Sequence, residues 1–437
     1  MKNLTAPMQF FPDTGWIDRP SQLEAAVEGE QSFDFAVVGG GVGGMLTALR
    51  LAENGRQVAL LESDVLGWGA SARNAGYLTT AVGSDPAILA KFYADRFRGL
   101  VRLADAAVHF SEDLFGHYSI DCDYEQTGVL GSAVTASQLK QVKTSAQILI
   151  DAGIDSEIVD GHDLGVPDTF LGGVYARAGG ILNPGKYALG LRDAVLRSDV
   201  TVFEQSQVLD VQDDGDSVTL VTRRGRVQAK KVVLSNNAHA RELSIVPRRM
   251  SNPVWTTAIE TEQVPPERLD EAGWTSRIPM VTMHMVMESY RTTTRGTMVI
   301  TTRQLQMPRG KLTDHLPDQT IVADLVRAFR TRFPTLSDIE PAKAWGGWIG
   351  MTPAILSVVG EISPRVLYVN ACNGHGLAQA AYLGHHIGDY LSDKGMHEDL
   401  QVVWRPKPRF APGVVYPPML RLAWLADRIT DRLGQVH

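Results

Sequence analysis

Three glycines, Gly39, Gly41 and Gly44, have the spacing that lets a backbone turn close around a phosphate. The first permits a tight turn, the second lets the main chain approach a pyrophosphate, and the third allows a helix to pack close to a strand. Their neighbours supply the setting. Phe35-Ala36-Val37-Val38 is an apolar run that stops at Gly39, and Val58-Ala59-Leu60-Leu61 is a second one. Between them Met45, Leu46, Leu49 and Leu51 recur at helical spacing as far as Asn54-Gly55, a helix stop. The N–H groups from Gly41 through Val42, Gly43 and Gly44 then open a helix whose positive end faces the phosphates. Glu62, with Ser63 beside it, ends the second strand, where a carboxylate accepts from ribose hydroxyls. Its charge repels a 2′-phosphate and so disfavours NADP. The unit is a parallel βαβ dinucleotide site, and by itself it leaves FAD and NAD open.

The next segment is Gly67-Trp68-Gly69-Ala70-Ser71-Ala72-Arg73-Asn74-Ala75-Gly76-Tyr77. Small residues let backbone lie against a flat ring, and Ser71 and Arg73 suit a diphosphate, with a surface salt bridge as the alternative for Arg73. Here the chain resembles the D-amino-acid-oxidase-like FAD-dependent oxidoreductases, most of all their γ-glutamylputrescine-oxidase branch. That branch carries a Gly-Ala-Ser-Gly-Arg-Asn-Gly-Gly run, from which Ala72 and Ala75 depart by one methyl each. The resemblance implies FAD as cofactor, held by Gly69, Ala70, Ser71, Arg73, Asn74, Ala75, Gly76 and Tyr77 besides the glycine turn. It also implies that Val208 touches adenine through its backbone and that Leu234 to His239, with Asn236, lies near the adenosine. Trp345 to Thr352, including Trp348, Gly350 and Met351, corresponds to a segment near the flavin. Pro353-Ala354-Ile355-Leu356 replaces the usual continuation there.

Asn373-Gly374-His375-Gly376-Leu377 matches a terminal turn of the same superfamily, and its chemistry is intelligible alone. A glycine turn opening an apolar helix brings N–H donors and a positive helix end to one point. Aimed at the flavin N1–C2=O edge, that charge favours hydride acceptance at N5. In the sarcosine-oxidase branch the cysteine that attaches the flavin falls within the segment matching Trp348 to Thr352. This chain has only Cys122 and Cys372, so non-covalent FAD and a small buried Cys372 are expected. No metal site is expected.

Amine oxidation by hydride transfer requires mainly a neutral amine whose C–H bond is held over N5, so it leaves no obligatory acid–base signature. Tyr77, Arg291, Trp348, Met351 and His375 are the substrate-side candidates, with Arg291 suited either to a substrate carboxylate or to an ion pair within its sheet. Met283, Met285 and Met287 alternate like one face of a strand, either core or a substrate wall. The expected reaction is oxidation of a C–N bond in an amine or amino acid, giving an imine that hydrolyses to an aldehyde or keto acid. Reoxidation is by O₂, yielding H₂O₂, or by a respiratory acceptor. A 2-hydroxy-acid dehydrogenase, or a flavoprotein subunit of an electron-transfer complex without its own pocket, are the alternatives.

The elements that must position these residues alternate between strands and helices, the pattern of an α/β fold with an open parallel sheet and a mixed β-sheet second domain. The polar first thirty residues form an arm; 85–164 is mostly helical with a strand near 128–130. Strands from 200 to 229 form an antiparallel meander, and 231–235 returns to the parallel sheet. Residues 250–302 form a β platform, 319–333 a helix, and 366–369 a strand leading to the Gly374 turn and a helix ending near Leu391. Expected boundaries are 30–95, 165–245 and 335–395 for the FAD-binding domain, 96–164 and 246–334 for the substrate or cap domain, and 396–437 for a strap and terminal helix. With 437 residues, 44% hydrophobic and 21% charged, two joined domains are reasonable. The net charge of −7 argues against general nucleic-acid binding. No signal-like apolar start and no run of 18 apolar residues occur, so the cytoplasm is expected. A peripheral membrane contact remains open through 420–433, where Trp424 and leucines mix with arginines; docking on the protein's own core is the plainer alternative.

Overall fold

The computed structural model describes residues 8–434 except 248–249, 309, 353–354, 371–372 and 406–414. Continuous apolar runs need cover on both sides, and this places the parallel strands at the centre. Val58–Leu61 is buried throughout and pairs in parallel with Gly29–Val38, which pairs in parallel with Gly225–Leu234. Val366–Asn370 joins the end of Gly225–Leu234, also in parallel. Val37, Leu60, Val233 and Leu367 face a layer containing the helices Val42–Glu53, Ala94–His117 and Gly376–Leu391. Ala36, Val38, Ala59 and Leu61 face the other way, toward the hairpin of Val211, Val218 and Val227 and toward Leu243 and Met250.

The second sheet has nine strands. Gln9–Phe10 pairs with Pro341–Met351, which leads to Asn252–Thr261, Met298–Thr302, Glu288–Thr292, Met280–Thr282 and then Val129–Ser132, Gly172–Ala176 and Ser156–Asp160. Helix Gln319–Arg332 packs on it through Val322, Leu325 and Phe329 against Ile259, Tyr290 and Ile300. Asp318 caps that helix, its carboxylate accepting from the Thr320 N–H at 2.7 Å, one of the donors a helix start leaves unpaired.

Several expectations change. The meander and the returning strand are one element: Gly225–Leu234 alternates exposed and buried at its start and is continuously buried at its end. Thr201–Phe203 is no part of a meander but pairs in parallel with Val58–Leu61. Met283, Met285 and Met287 form neither core nor wall; they lie exposed on the connection between Met280–Thr282 and Glu288–Thr292. The N-terminal arm supplies Trp16, buried edge-on against Trp345. Gly172–Ala176 and Pro341–Met351 lie in the nine-stranded sheet, although the expected boundaries grouped them with the dinucleotide-binding unit.

Candidate functional site

The glycine turn joins the end of Gly29–Val38 to helix Val42–Glu53. Gly39 has φ +105, and a Cβ there would sit 2.7 Å from the Ser235 carbonyl oxygen. At Gly44 a Cβ would be driven into the carbonyl oxygen of Gly39. Both positions therefore require glycine for fit, the first also for conformation.

Helices Val42–Glu53 and Gly376–Leu391 run side by side in the same direction. The Thr47 hydroxyl donates to the Gly384 carbonyl at 3.1 Å, and further along Arg50 pairs with Asp389 at 2.7 Å. A Cβ on Gly43 would come within 3.2 Å of the Ala380 carbonyl, so the absence of side chains sets the closeness of the pair. Both helices follow parallel strands and start at the same edge of the sheet. Two positive helix ends, with Gly376 and Leu377 at the start of the second, thus converge where a doubly wound sheet binds its ligand.

Around this edge the other expected residues gather. The Glu62 carboxylate accepts from the Gly40 N–H at 2.7 Å and from the Ser63 hydroxyl at 2.8 Å, closing the turn. Glu62 also accepts the Ser206 N–H on its carbonyl at 2.7 Å, which brings the strand leading to buried Val208 alongside. The Val42 N–H donates to the Ser71 hydroxyl at 3.0 Å, so Ser71 stands over the helix start. Gly69 precedes a single turn, Ala70–Arg73, and a Cβ at Gly69 would meet nothing within 4 Å. Asn74 holds the loop in shape, donating to Ala70 and Ser71 carbonyls and accepting from the Gly76 N–H at 2.8 Å.

Two arginines lie elsewhere than expected. Arg73 is buried, with Nε on the Trp68 carbonyl at 2.9 Å, Nη1 on the Pro12 carbonyl at 3.4 Å and Nη2 on Asp314 at 2.7 Å, so its guanidinium ties loops together instead of reaching toward a diphosphate. Arg291 crosses from the nine-stranded sheet and gives Nη1 to the carbonyls of Ala75, Gly76 and Leu182 at 3.1, 2.9 and 2.6 Å. Burial pushes its guanidinium down to about 10, still a cation at neutral pH. Among the described residues it makes no ion pair within its sheet. It is a clamp on the loop ahead of Tyr77. Tyr77 itself is pushed up by burial, its hydroxyl on the Met280 carbonyl at 3.2 Å.

Strand pairing sorts the rest by face. Gly347 opposes Thr256, Trp345 opposes Ala258, Ala258 opposes Thr301, and Thr301 opposes Ser289. Opposed residues share a face, and so do residues two apart. This face looks toward Arg73, which a Cβ on Gly347 would approach to 3.2 Å, and Ile349 on it would touch a Cβ on Gly374 at 3.9 Å. Met351, half-buried, follows on the same face. Trp348 is on the opposite face, edge-on to Trp255 with centroids 5.2 Å apart and its indole N–H on the Thr313 carbonyl. Its side chain thus lies away from Gly347 and Ile349. The Gly347 face carries hydroxyls that sequence reasoning missed, Thr256, Ser289 and Thr301, with Thr302 joined to Thr256 and Thr301 by hydrogen bonds. Only the pairing register, which the sequence does not display, brings them together.

Unsatisfied polar atoms test whether a polar, flat cofactor fits. Buried and without partners are Asn236 Oδ1, Asn237 Oδ1, both amide atoms of Asn370 and His375 Nδ1. A Cβ on Gly350 would lie 2.7 Å from Asn237 Oδ1 and 3.1 Å from Asn370 Oδ1, so these groups crowd one point. Leaving so many buried groups unpaired costs about 1–3 kcal/mol each, which a ligand rich in donors and acceptors offsets. His375 Nε2 donates to the Ile355 carbonyl at 2.9 Å, which leaves Nδ1 as an acceptor, and burial lowers its affinity for a second proton. Cys372 lies outside the described residues.

Residues 34–390 match the family model described as FAD dependent oxidoreductase. The gamma-glutamylputrescine oxidoreductase of Escherichia coli (strain K12) is 27% identical over 82% of this chain and 83% of its own length. Among solved structures, the glycine oxidase of Geobacillus kaustophilus superposes with a TM-score of 0.71 at 19% identity, covering 84% of this chain and 96% of that one. The L-proline dehydrogenase of P. horikoshii gives 0.72 at 16%, covering 86% and 96%. These structural likenesses confirm the expected α/β fold, although the first sheet, expected to be parallel, is mixed through the antiparallel pairs of Gly225–Leu234 and Val366–Asn370. The match over 34–390 makes the chain a member of the FAD dependent oxidoreductase family.

Proposed function

We propose that this protein oxidises the C–N bond of an amine or amino acid, with non-covalently bound FAD, to an imine that water hydrolyses to an aldehyde or keto acid. The observation that carries the reading is the convergence of two helix N-termini on a cluster of unpaired buried amides, Asn236, Asn237 and Asn370, beside His375. The names of the relatives, which specify an amine and two amino acids, supply the substrate class. When bound, the flavin accepts a hydride from the substrate carbon.

The chain's own part is to bind, orient and exclude water. Glu62 would take the ribose hydroxyls, and the N–H groups of Gly41, Gly43 and Gly44 with the Ser71 hydroxyl would take the pyrophosphate. The loop from Gly69 to Tyr77, clamped by Arg291, and the Gly374–Leu377 turn would hold the flavin, the turn lending it the positive end of helix Gly376–Leu391. Thr256, Ser289, Thr301, Ile349 and Met351 form the wall over which the substrate amine is positioned. The expected discontinuous domains, FAD-binding and cap, meet at that wall. Reoxidation is by O₂ or a respiratory acceptor.

Anaerobic mixing with polyamines, N-methyl amines, D-amino acids and 2-hydroxy acids tests the reading: amines bleach the flavin absorbance. Bleaching by hydroxy acids alone sinks it, and no bleaching by any compound points to an electron-transfer subunit. Yellow colour that stays with the pellet after acid precipitation overturns non-covalent attachment.

A further inference from the structure

The helix Tyr416–Gly434 lies beyond the family match, and it is docked the opposite way from an ordinary amphipathic helix. Its inward anchors are charged. The Asp427 carboxylate accepts the N–H groups of Met285 and Val286 at 2.9 Å each, Asp431 pairs with His284 at 3.0 Å and Arg332 at 2.8 Å, and Arg428 pairs with Asp324. Leu420, Ala423 and Trp424 are half-buried, while four of its apolar side chains face outward, Met419, Leu422, Leu425 and Ile429 being 58%, 66%, 41% and 57% exposed. Their spacing of three, three and four makes one row along the helix. On the connection that Asp427 holds, Met285 is also 71% exposed. Such a row presents on the order of 400 Å² of apolar surface, the scale at which an exposed patch marks an interaction site.

We propose that this row is a docking surface for an anionic lipid bilayer, with the helix lying in the plane of the interface. Charge selects that occupant. Between Trp404 and Ala426 the sequence carries Arg405, Lys407, Arg409 and Arg421 and no Asp or Glu, within a chain of net charge −7. Arg421, exposed on the helix directly before Leu422 of the row, sets a cation beside the apolar side chains, a pairing that attracts anionic headgroups. Area argues against a second copy of the chain, because on the order of 400 Å² is about half of what one partner buries in a stable dimer. Lipid contact needs only that the apolar side chains reach the acyl boundary. The ion pairs on the inner side fix the helix to the cap, so the row is presented as a rigid edge. Among the described residues no helix is long and apolar enough to cross a membrane, so the contact is peripheral.

Co-sedimentation of the full-length flavoprotein with vesicles of equal phosphatidylcholine and phosphatidylglycerol is the test, with pure phosphatidylcholine as the second arm. The protein is expected to pellet with the mixed vesicles, to be released by high salt, and to stay in solution with phosphatidylcholine. The pair Leu422→Gln and Ile429→Gln is expected to lower partitioning by roughly tenfold or more, with flavin absorbance and turnover unchanged. Three results overturn the proposal: wild type that stays in solution with anionic vesicles, equal binding to both vesicle types, or a wild-type dimer that the double variant converts to monomer.

Discussion

Replacing Arg291 with Met keeps an unbranched apolar stem and removes the guanidinium donors, which makes the clamp reading quantitative. Arg291 Nη1 serves three carbonyls, those of Ala75, Gly76 and Leu182, and Nε serves Thr292. Hydrogen bonds to a charged group contribute about 1.5–3 kcal/mol, but three acceptors sharing one nitrogen do not add, so about 5 kcal/mol is a fair gross loss. Against this stands relief of the buried charge: burial holds the guanidinium at about 10 against 12.5, a cost of about 3 kcal/mol. The net is about 2 kcal/mol, felt as loosening of the Gly69–Tyr77 loop. Because FAD must then order that loop on binding, its dissociation constant should rise roughly 30-fold. Lysine offers one compact charge in place of a planar fork, so Arg291→Lys should fall between the two. Titration of the apoprotein with FAD, followed by flavin fluorescence, gives the constant directly. An unchanged FAD affinity together with a raised KM for carboxylate-bearing amines only would refute the clamp and restore Arg291 as a substrate ligand.

Gly350→Ala should weaken FAD binding by tenfold or more, since the added methyl occupies the point shared by Asn237 and Asn370 and overpacking costs about 1–3 kcal/mol; equal flavin content after purification speaks against that placement. For Asp431, burial alone would raise the carboxyl, but His284 and Arg332 outweigh it and hold it well below 3.8. A depressed carboxyl stabilises fully above its unfolded value and loses that contribution as pH falls toward its folded one, so the terminal helix should stay docked at neutral pH and loosen only in strong acid. Asp431→Asn should mimic this at neutral pH, at a cost of about 3 kcal/mol, and hydrogen exchange over 416–434 reads it out. His375, lowered by burial, is neutral throughout the range above its ordinary 6.5. His375→Asn should therefore leave the alkaline limb of the rate–pH profile unmoved, and a displaced limb assigns that titration to His375.

Much of this was readable from the chain because it is local. The Gly39–Gly44 turn, its flanking strands and Glu62 fall within one βαβ unit, where apolar periodicity and glycine spacing are sufficient. The helix after Gly374 was legible for the same reason. What escaped were contacts made by register and long-range packing. Nothing in the local sequence says that Thr256, Thr301 and Ser289 share a face, or that Trp348 turns away from it while Gly347 turns toward it. The guanidiniums of Arg73 and Arg291 fit a phosphate or a carboxylate by type, and only the fold reveals that backbone carbonyls and Asp314 engage them. Met283, Met285 and Met287 alternate like a strand, yet Asp427 fixes that segment as a connection by accepting two of its N–H groups.

The proposed reaction removes a hydride from the carbon beside the substrate nitrogen, and water then splits the resulting C=N bond. Single-turnover reduction without oxygen, with the carbonyl product and released nitrogen counted against flavin bleached, tests it most directly. One carbonyl and one ammonia or amine per flavin is the predicted result. Flavin bleached by a 2-hydroxy acid, with no nitrogen released from any amine offered, would contradict it.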